Sequence, residues 1–218
     1  MKAIQHSSAL CMAFCAALLS GCLIQSQFNV PAYISFVNGS VFLNGRPASV
    51  NAPIHYNDIL ETKEKSHCQV IVDGRNIISL QSDTLFVYKI KTTDGLIELK
   101  RGFLGAIIKN RKNIHSFRVS TRTVTASIRG TSLFVGVESP EKTYTCVCNG
   151  RIHFHPELHG EERTVAAVHH DGLYFVQKEN QVVAIPAGMK YHDDQMMEKM
   201  AASIGATIDW TALPAGEE

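Results

Sequence analysis

Six Asn-Gly or Asp-Gly pairs punctuate the chain, at Asn38-Gly39, Asn44-Gly45, Asp73-Gly74, Asp94-Gly95, Asn149-Gly150 and Asp171-Gly172. Such a pair places two residues with positive φ side by side at little steric cost, as a two-residue hairpin turn requires. Between the pairs stand short runs rich in β-branched and aromatic residues: Cys68 to Val72, Ile77 to Leu80, Leu85 to Ile90, Leu96 to Leu99, Phe117 to Val119 and Leu133 to Val137. Runs of this kind suit a half-buried pleated surface. No convincing helical period interrupts them from Ile34 to about Val183. The expectation is an all-β, mostly antiparallel meander in which each of the six pairs makes a turn. Short strands with tight turns fit a β-sandwich and a solenoid-like stack equally well. Only the end differs. Asp193 or Asp194 can cap a short C-terminal helix running to about Ile204, where Met196, Met197, Met200 and Ile204 recur at helical spacing and Gly205 stops it. That stripe reads as a docking face.

The N-terminus reads as an export leader. Lys2 supplies a positive charge, and Ala9 to Leu19 is an apolar run of the length a secretion signal needs. It is too short to span a bilayer, which takes roughly 20 apolar residues. The run gives way to Ser20, Gly21 and Cys22. Leu19-Ser20-Gly21-Cys22 resembles the bacterial lipobox, which implies cleavage after Gly21 and lipidation of Cys22. Two or three acyl chains would then hold the protein on a membrane. Leu23 is not the aspartate that the resemblance associates with inner-membrane retention, so the expected location is the periplasmic face of the outer membrane.

Without a 21-residue leader, 197 residues remain, with basic and acidic side chains balanced at 20 each. That length suits one sizeable domain, stable without disulfide staples. The balance leaves no broad basic field for nucleic acid or anionic lipid. Besides Cys22, the mature chain keeps Cys68, Cys146 and Cys148, an odd number for an oxidising compartment. A bond between Cys146 and Cys148 would be strained, since alternate Cα atoms on a strand lie about 6.5–7 Å apart. A bridge from Cys68 to either cannot be read from the sequence.

Val37 to Leu43, Asp58-Ile59-Leu60-Glu61-Thr62, Cys68 to Gly74 and Ile77 to Leu80, followed by Phe117 through Thr131 and the strand Ser132 to Val137, resemble the FecR-type periplasmic domain. The chain departs from the family pattern at Asn57, where glycine is usual, and at Arg122, where proline is usual. The resemblance covers about Ala32 to Ile152. It implies a FecR-like β domain over residues 32–155, behind a tether at 22–31 and followed by a β and helix extension at 156–218. Within the motif Arg129-Gly130-Thr131, the glycine permits a tight turn or a close backbone approach. The arginine beside it can satisfy several carbonyls. This motif reads as structural.

Six of the ten histidines fall after residue 150, at 153, 155, 159, 169, 170 and 192. Cys146-Val147-Cys148 reads as the end of a strand with both thiols on one face. Thiolates and imidazoles within reach of one another suit zinc, copper or iron. No cofactor is fixed by the sequence, and a transition metal held by Cys146, Cys148, His169 or His170, and His192 is the candidate. A subset of FecR-type proteins shows a similar arrangement, matched here by Tyr144 through Gly150, His169 through Asp171 and His192 through Asp194. The competing reading keeps Cys146 and Cys148 as small core residues. On a strand, His169 and His170 would face opposite ways, so at most one joins a given site. His153 to His159 reads as an exposed loop.

No Walker loop, dinucleotide fingerprint, Gly-x-Ser-x-Gly elbow or His-Glu-x-x-His is present, so the common enzyme templates are unsupported. The resemblance implies a non-catalytic binding, signalling or sensory module whose partners are the membrane, through lipid, and a protein or other envelope component, with no nucleic acid. Full FecR regulators carry a cytoplasmic anti-sigma segment and a transmembrane helix. Neither is expected here, so only the extracytoplasmic recognition part carries over. Two alternatives stand beside this reading: a metal-binding or redox protein, and a structural component of envelope assembly.

Overall fold

The computed structural model describes residues 30–91, 94–109, 116–128 and 130–214. In chain order the elements are β1 (Ala32–Asn38), β2 (Val41–Leu43), β3 (Arg46–Pro47), β4 (Ile59–Thr62), β5 (His67–Val72), β6 (Asn76–Leu80), β7 (Leu85–Ile90), β8 (Asp94–Ile108), β9 (Ser116–Ser120), β10 (Val124–Ile128), β11 (Ser132–Ser139), β12 (Lys142–Pro156), β13 (Arg163–Ala167), β14 (Asp171–Lys178), β15 (Gln181–Ala187) and the helix α1 (Asp194–Ala202). The fold is all-β with one short helix near the C-terminus. Among the described residues no helix is long and apolar enough to cross a membrane.

The strands form two layers. The first sheet runs β15-β14-β12-β11-β8-β6-β5-β1. The second runs β13-β12-β10-β9-β8-β7-β4-β2-β3, and its β8–β9 pair is the parallel one. Strands β8 and β12, each 15 residues long, belong to both sheets. Such corner strands join the layers of a sandwich, so of the two architectures the sequence allows, the sandwich is realised.

Each corner turns on a glycine. At Gly102, φ is +83°, and a Cβ there would sit 2.5 Å from the Thr84 Cα. At Gly150, φ is +126°, and a Cβ would sit 2.6 Å from Thr131 Oγ1. A side chain would be excluded at both positions by conformation and by crowding.

Strand alternation then sorts the first sheet's side chains. Ile78, Leu80, Leu104, Leu133, Val135 and Val147 point inward to meet Phe86, Tyr88, Ile97, Val119 and Ile128 of the second sheet. Ile77, Ile107, Phe134, Tyr144, Cys146 and Cys148 form the opposite face, beneath Met197, Met200 and Ala201 of α1. The helix is therefore a third layer. Nine residues are too few to hold a helix alone. Burial of Met197 and Met200, 0% and 1% exposed, contributes about 1.5–3 kcal/mol each. Asp193 caps its N-terminus, accepting from Met196 N at 2.7 Å. The methionine stripe is thus a docking face, as its spacing predicts, and the helix ends at Ala202, two residues short of Ile204.

Three of the six predicted turns correct the meander. Asn44-Gly45 joins β2 to β3, with φ of 52° and 74°, and Asp73-Gly74 joins β5 to β6. Asn38-Gly39 also turns the chain, but from the first sheet to the second rather than into a hairpin. Asp94-Gly95 and Asp171-Gly172 instead open β8 and β14, and Asn149-Gly150 lies inside β12. At that last site the permissive backbone serves the corner between sheets, a demand that the dipeptide alone does not distinguish from a turn. For the same reason Cys146 and Cys148 sit within a long strand rather than at its end.

Candidate metal centre

Cys146 and Cys148 project from the first half of β12, two residues apart and on one face, opposite the inward Val147. Both are fully buried, and together with Cys68 they are free thiols. His170 comes from the connection between β13 and β14, where its φ is +43°. His192 comes from the segment between β15 and α1. The four donor atoms lie within 4.8 Å of one another. Cys146 Sγ is 3.5 Å from His170 Nδ1, Cys148 Sγ is 3.3 Å from His192 Nε2, and His192 Nε2 is 3.3 Å from His170 Nδ1.

The outward nitrogens of both rings have acceptor partners. His170 Nε2 donates to Asp194 Oδ1 at 2.8 Å, and His192 Nδ1 donates to the Lys190 carbonyl at 2.7 Å. A neutral imidazole that donates from one nitrogen presents a lone pair at the other, so in their neutral forms His170 Nδ1 and His192 Nε2 would both turn lone pairs into the cluster. Phe134 stacks on His192 with centroids 4.4 Å apart, and Trp210 lies against His170 at 5.1 Å. The Asn149 side-chain amide donates to the Asp209 carbonyl at 2.9 Å and to the Val168 carbonyl at 2.8 Å, holding the tail over the cluster.

The thiols divide their proton unequally. A hydrogen bond from the Cys148 thiol draws the Cys146 thiol down to about 3 against the opposing pull of burial, with His170 and His192 adding to the effect. Burial pushes Cys148 well up. Burial pulls His170 down, but hydrogen bonds to Cys146 and Asp194 outweigh it and raise its value. Chemically, two sulfurs and two imidazole nitrogens at this spacing can hold one soft or borderline cation.

His169 takes no part in this cluster. Its Nε2 lies 3.1 Å from Asp194, so Asp194 gathers both neighbouring histidines while only His170 faces the thiols. The pair sits in a connection, where alternation does not apply, yet a single histidine still reaches the sulfurs. His153 and His155 lie on β12 itself, which runs to Pro156, so the loop expected there begins only at Glu157. Both histidines point to Glu162, at 3.2 and 2.7 Å. In the Arg129-Gly130-Thr131 motif, Arg129 lies outside the described residues, as do Gly21 and Cys22. Gly130 has φ +66°, and Thr131 Oγ1 donates to the Arg151 carbonyl at 2.9 Å. Phe134 and Trp210 were not singled out by sequence, and Asp194 was named there only as a helix-cap candidate and as the end of the His192–Asp194 match, not as the partner of His170. For Asp194 a signal existed in its position two residues after His192.

Residues 58–153 match the family described as FecR protein. The match runs from β4 into β12, so it contains Cys146 and Cys148 while His170 and His192 lie beyond it. A crystal structure of a proposed anti-sigma factor from Parabacteroides distasonis has the same fold, with a TM-score of 0.50 at 15% identity over 67% of this chain and 65% of that one. A second structure described in the same words aligns with a TM-score of 0.49 at 15% identity, over 67% of this chain and 64% of the other. This chain thus spans 65% of the length of the first of these structures. No curated protein matches the chain. The β-sandwich, its corner strands and the family match agree, and the chain carries a FecR domain over residues 58–153.

Proposed function

We propose that this protein is a non-catalytic sensory and binding module of the bacterial envelope, anchored by lipid at Cys22 to the periplasmic face of the outer membrane. The observation that carries the reading is the FecR domain over residues 58–153, a regulatory family whose members act at the envelope by contact with other proteins. The proposed anti-sigma factor of the same fold is in keeping with a regulatory role. The burial of the Cys–His cluster supports the non-catalytic reading. Its sulfurs are fully buried and the His170 side chain is 6% exposed, so a substrate has no direct approach to these nucleophiles.

Cys22 lies only about ten residues before β1 (Ala32–Asn38), a reach of roughly 30–35 Å when fully extended. The FecR domain would therefore work close to the bilayer, and its partner belongs at that surface. Envelope crosslinking followed by affinity purification of the lipid-anchored protein tests this. A protein partner enriched over an unrelated lipid-anchored control is the expected result, and failure to enrich any would remove the support for a binding role. In parallel, Cys22→Ser should move the protein from the membrane to the soluble fraction. If that variant stayed with the membrane, the anchor would be wrong.

A further inference from the structure

We infer that Cys146, Cys148, His170 and His192 together hold a single zinc-class divalent ion in a closed tetrahedral site, and that this ion clasps the C-terminal segment onto the FecR domain. The first argument is metric. Around zinc, with Zn–S near 2.3 Å and Zn–N near 2.0–2.1 Å, a tetrahedron has edges of about 3.3–3.4 Å between nitrogens and about 3.5–3.6 Å between nitrogen and sulfur. The observed edges are 3.3 Å for nitrogen to nitrogen and 3.5 and 3.3 Å for sulfur to nitrogen. Three of the six edges thus match such a tetrahedron, and the other three are held within 4.8 Å.

The second argument is the orientation of the imidazoles. Two inward nitrogens 3.3 Å apart, both acceptors when the rings are neutral and their outer nitrogens donate, repel one another unless a positive group lies between them, a ring is protonated or the thiols supply protons. The outward partners, the Asp194 carboxylate on His170 and the Lys190 carbonyl on His192, are those that orient metal-bound histidines and raise their basicity. A core of small hydrophobic residues has no need of this pair of oriented rings.

Charge and softness select the class of ion. Two thiolates neutralise a divalent cation, so the centre can be buried without the penalty of an isolated charge. Loading releases the thiol protons to solvent. A tetrahedral set of two sulfurs and two nitrogens favours zinc over hard ions such as magnesium or calcium. All four corners are protein atoms, which marks a structural rather than a catalytic zinc site.

What the ion would join is set by where the ligands arise. Cys146 and Cys148 belong to the matched FecR region, whereas His170 and His192 lie beyond residue 153. His192 stands two residues before α1, whose first residue, Asp194, braces His170. Four coordinate bonds would thus fasten the helix layer to the outer face of the first sheet.

The test uses the full-length mature protein in detergent. After chelation, it is titrated with Zn2+ alone and separately with Co2+, while hydrogen exchange is followed over residues 188–214. The expected results are one zinc per chain, an intense tetrahedral cobalt spectrum with thiolate charge transfer, and slower exchange in residues 188–214 on loading. Cys146→Ser/Cys148→Ser should weaken binding by more than about 100-fold, and His153→Ala/His155→Ala should leave it unchanged. Should the double serine variant fail to fold, His192→Ala serves, with X-ray absorption expected to show two sulfurs retained and one nitrogen lost. Equal, sub-stoichiometric metal in wild type and both ligand variants would overturn the site. Stoichiometric copper or iron in place of zinc would overturn the ion class. One zinc per chain with unchanged exchange in residues 188–214 would overturn the clasp.

Discussion

His192 Nε2 and His170 Nδ1 face each other across 3.3 Å, although 22 residues of chain separate them. The meeting depends on two unrelated structures, the connection that leads into β14 and the segment that leads into α1. Asp194, at the start of that helix, reaches back to His170 and makes the two attachments interdependent.

Asp194→Ala removes the acceptor that orients His170 without removing a ligand. Zinc affinity should fall by about 10–100-fold while stoichiometry stays at one per chain, as measured by competition against a chelator of known affinity. Unchanged affinity would mean that Asp194 matters only as a hydrogen-bond partner of the exposed His169.

The corner glycines should be intolerant of alanine for different reasons. At Gly150 the added Cβ meets only the Thr131 side chain, at 2.6–2.9 Å, whereas at Gly102 it also meets backbone, the Thr84 Cα at 2.5 Å and the Asp83 carbonyl oxygen at 2.8 Å. Both variants should lose about 2–4 kcal/mol in chemical denaturation. Thr131→Ser should return part of the loss at Gly150, because it removes the crowding methyl group. No trimming of Thr84 should do the same at Gly102. Equal rescue at both corners would contradict this picture.

Phe154 and Phe175 meet across the two sheets with ring centroids 5.1 Å apart, both fully buried. Phe175 lies on β14, beyond the matched FecR region, yet it belongs to the same core as Phe154. Phe175→Ala should cost about 3–5 kcal/mol and lower a single unfolding transition. A separate early transition would show that the strands after β12 unfold independently.

Glu138 should contribute to the acid sensitivity of the fold. Burial pushes its carboxyl up, but hydrogen bonds from Lys142, Tyr191 and Tyr174 outweigh this and hold it below the ordinary value of 4.5. Because the folded value is the lower one, the carboxylate's contribution is complete above about pH 4.5 and fades as pH falls through the folded value. The Lys142 and Tyr174 bonds are 2.7 and 2.8 Å long, and the net contribution is on the order of 1–3 kcal/mol. Glu138→Gln should be less stable at pH 7 and show a flatter stability profile between about pH 5 and 3. Parallel wild-type and variant profiles would rule the group out as an acid sensor.

Much of the fold was legible because alternation and turn chemistry are local. The apolar run from Leu133 to Val137 predicts a strand, though not that both its faces are buried, and Met196, Met197 and Met200 predict a docked helix. Asn44-Gly45 was read correctly because a two-residue turn needs only its own backbone. Asn149-Gly150 was misread because the same freedom serves a bend between layers, and the need for a bend arises only when two sheets are stacked. Cys146 and Cys148 were recognisable as a same-face pair from their spacing, as were His170 and His192 as soft donors.

The sequence by itself determined an all-β chain with a FecR-like region, a short capped helix with an apolar stripe, and a set of residues with the chemistry to bind a soft cation. Those properties follow from spacing, propensity and side-chain type. Only the tertiary structure decided that His170 rather than His169 faces the thiols, that Asp194 and the Lys190 carbonyl aim the two imidazoles, and that Phe134 and Trp210 cover the cluster. Each of these depends on contacts between segments distant along the chain, created when the helix layer settles on the outer face of the first sheet. Burial then turns four separated side chains into one centre, since a donor acquires a fixed direction only where packing removes its rotamer freedom.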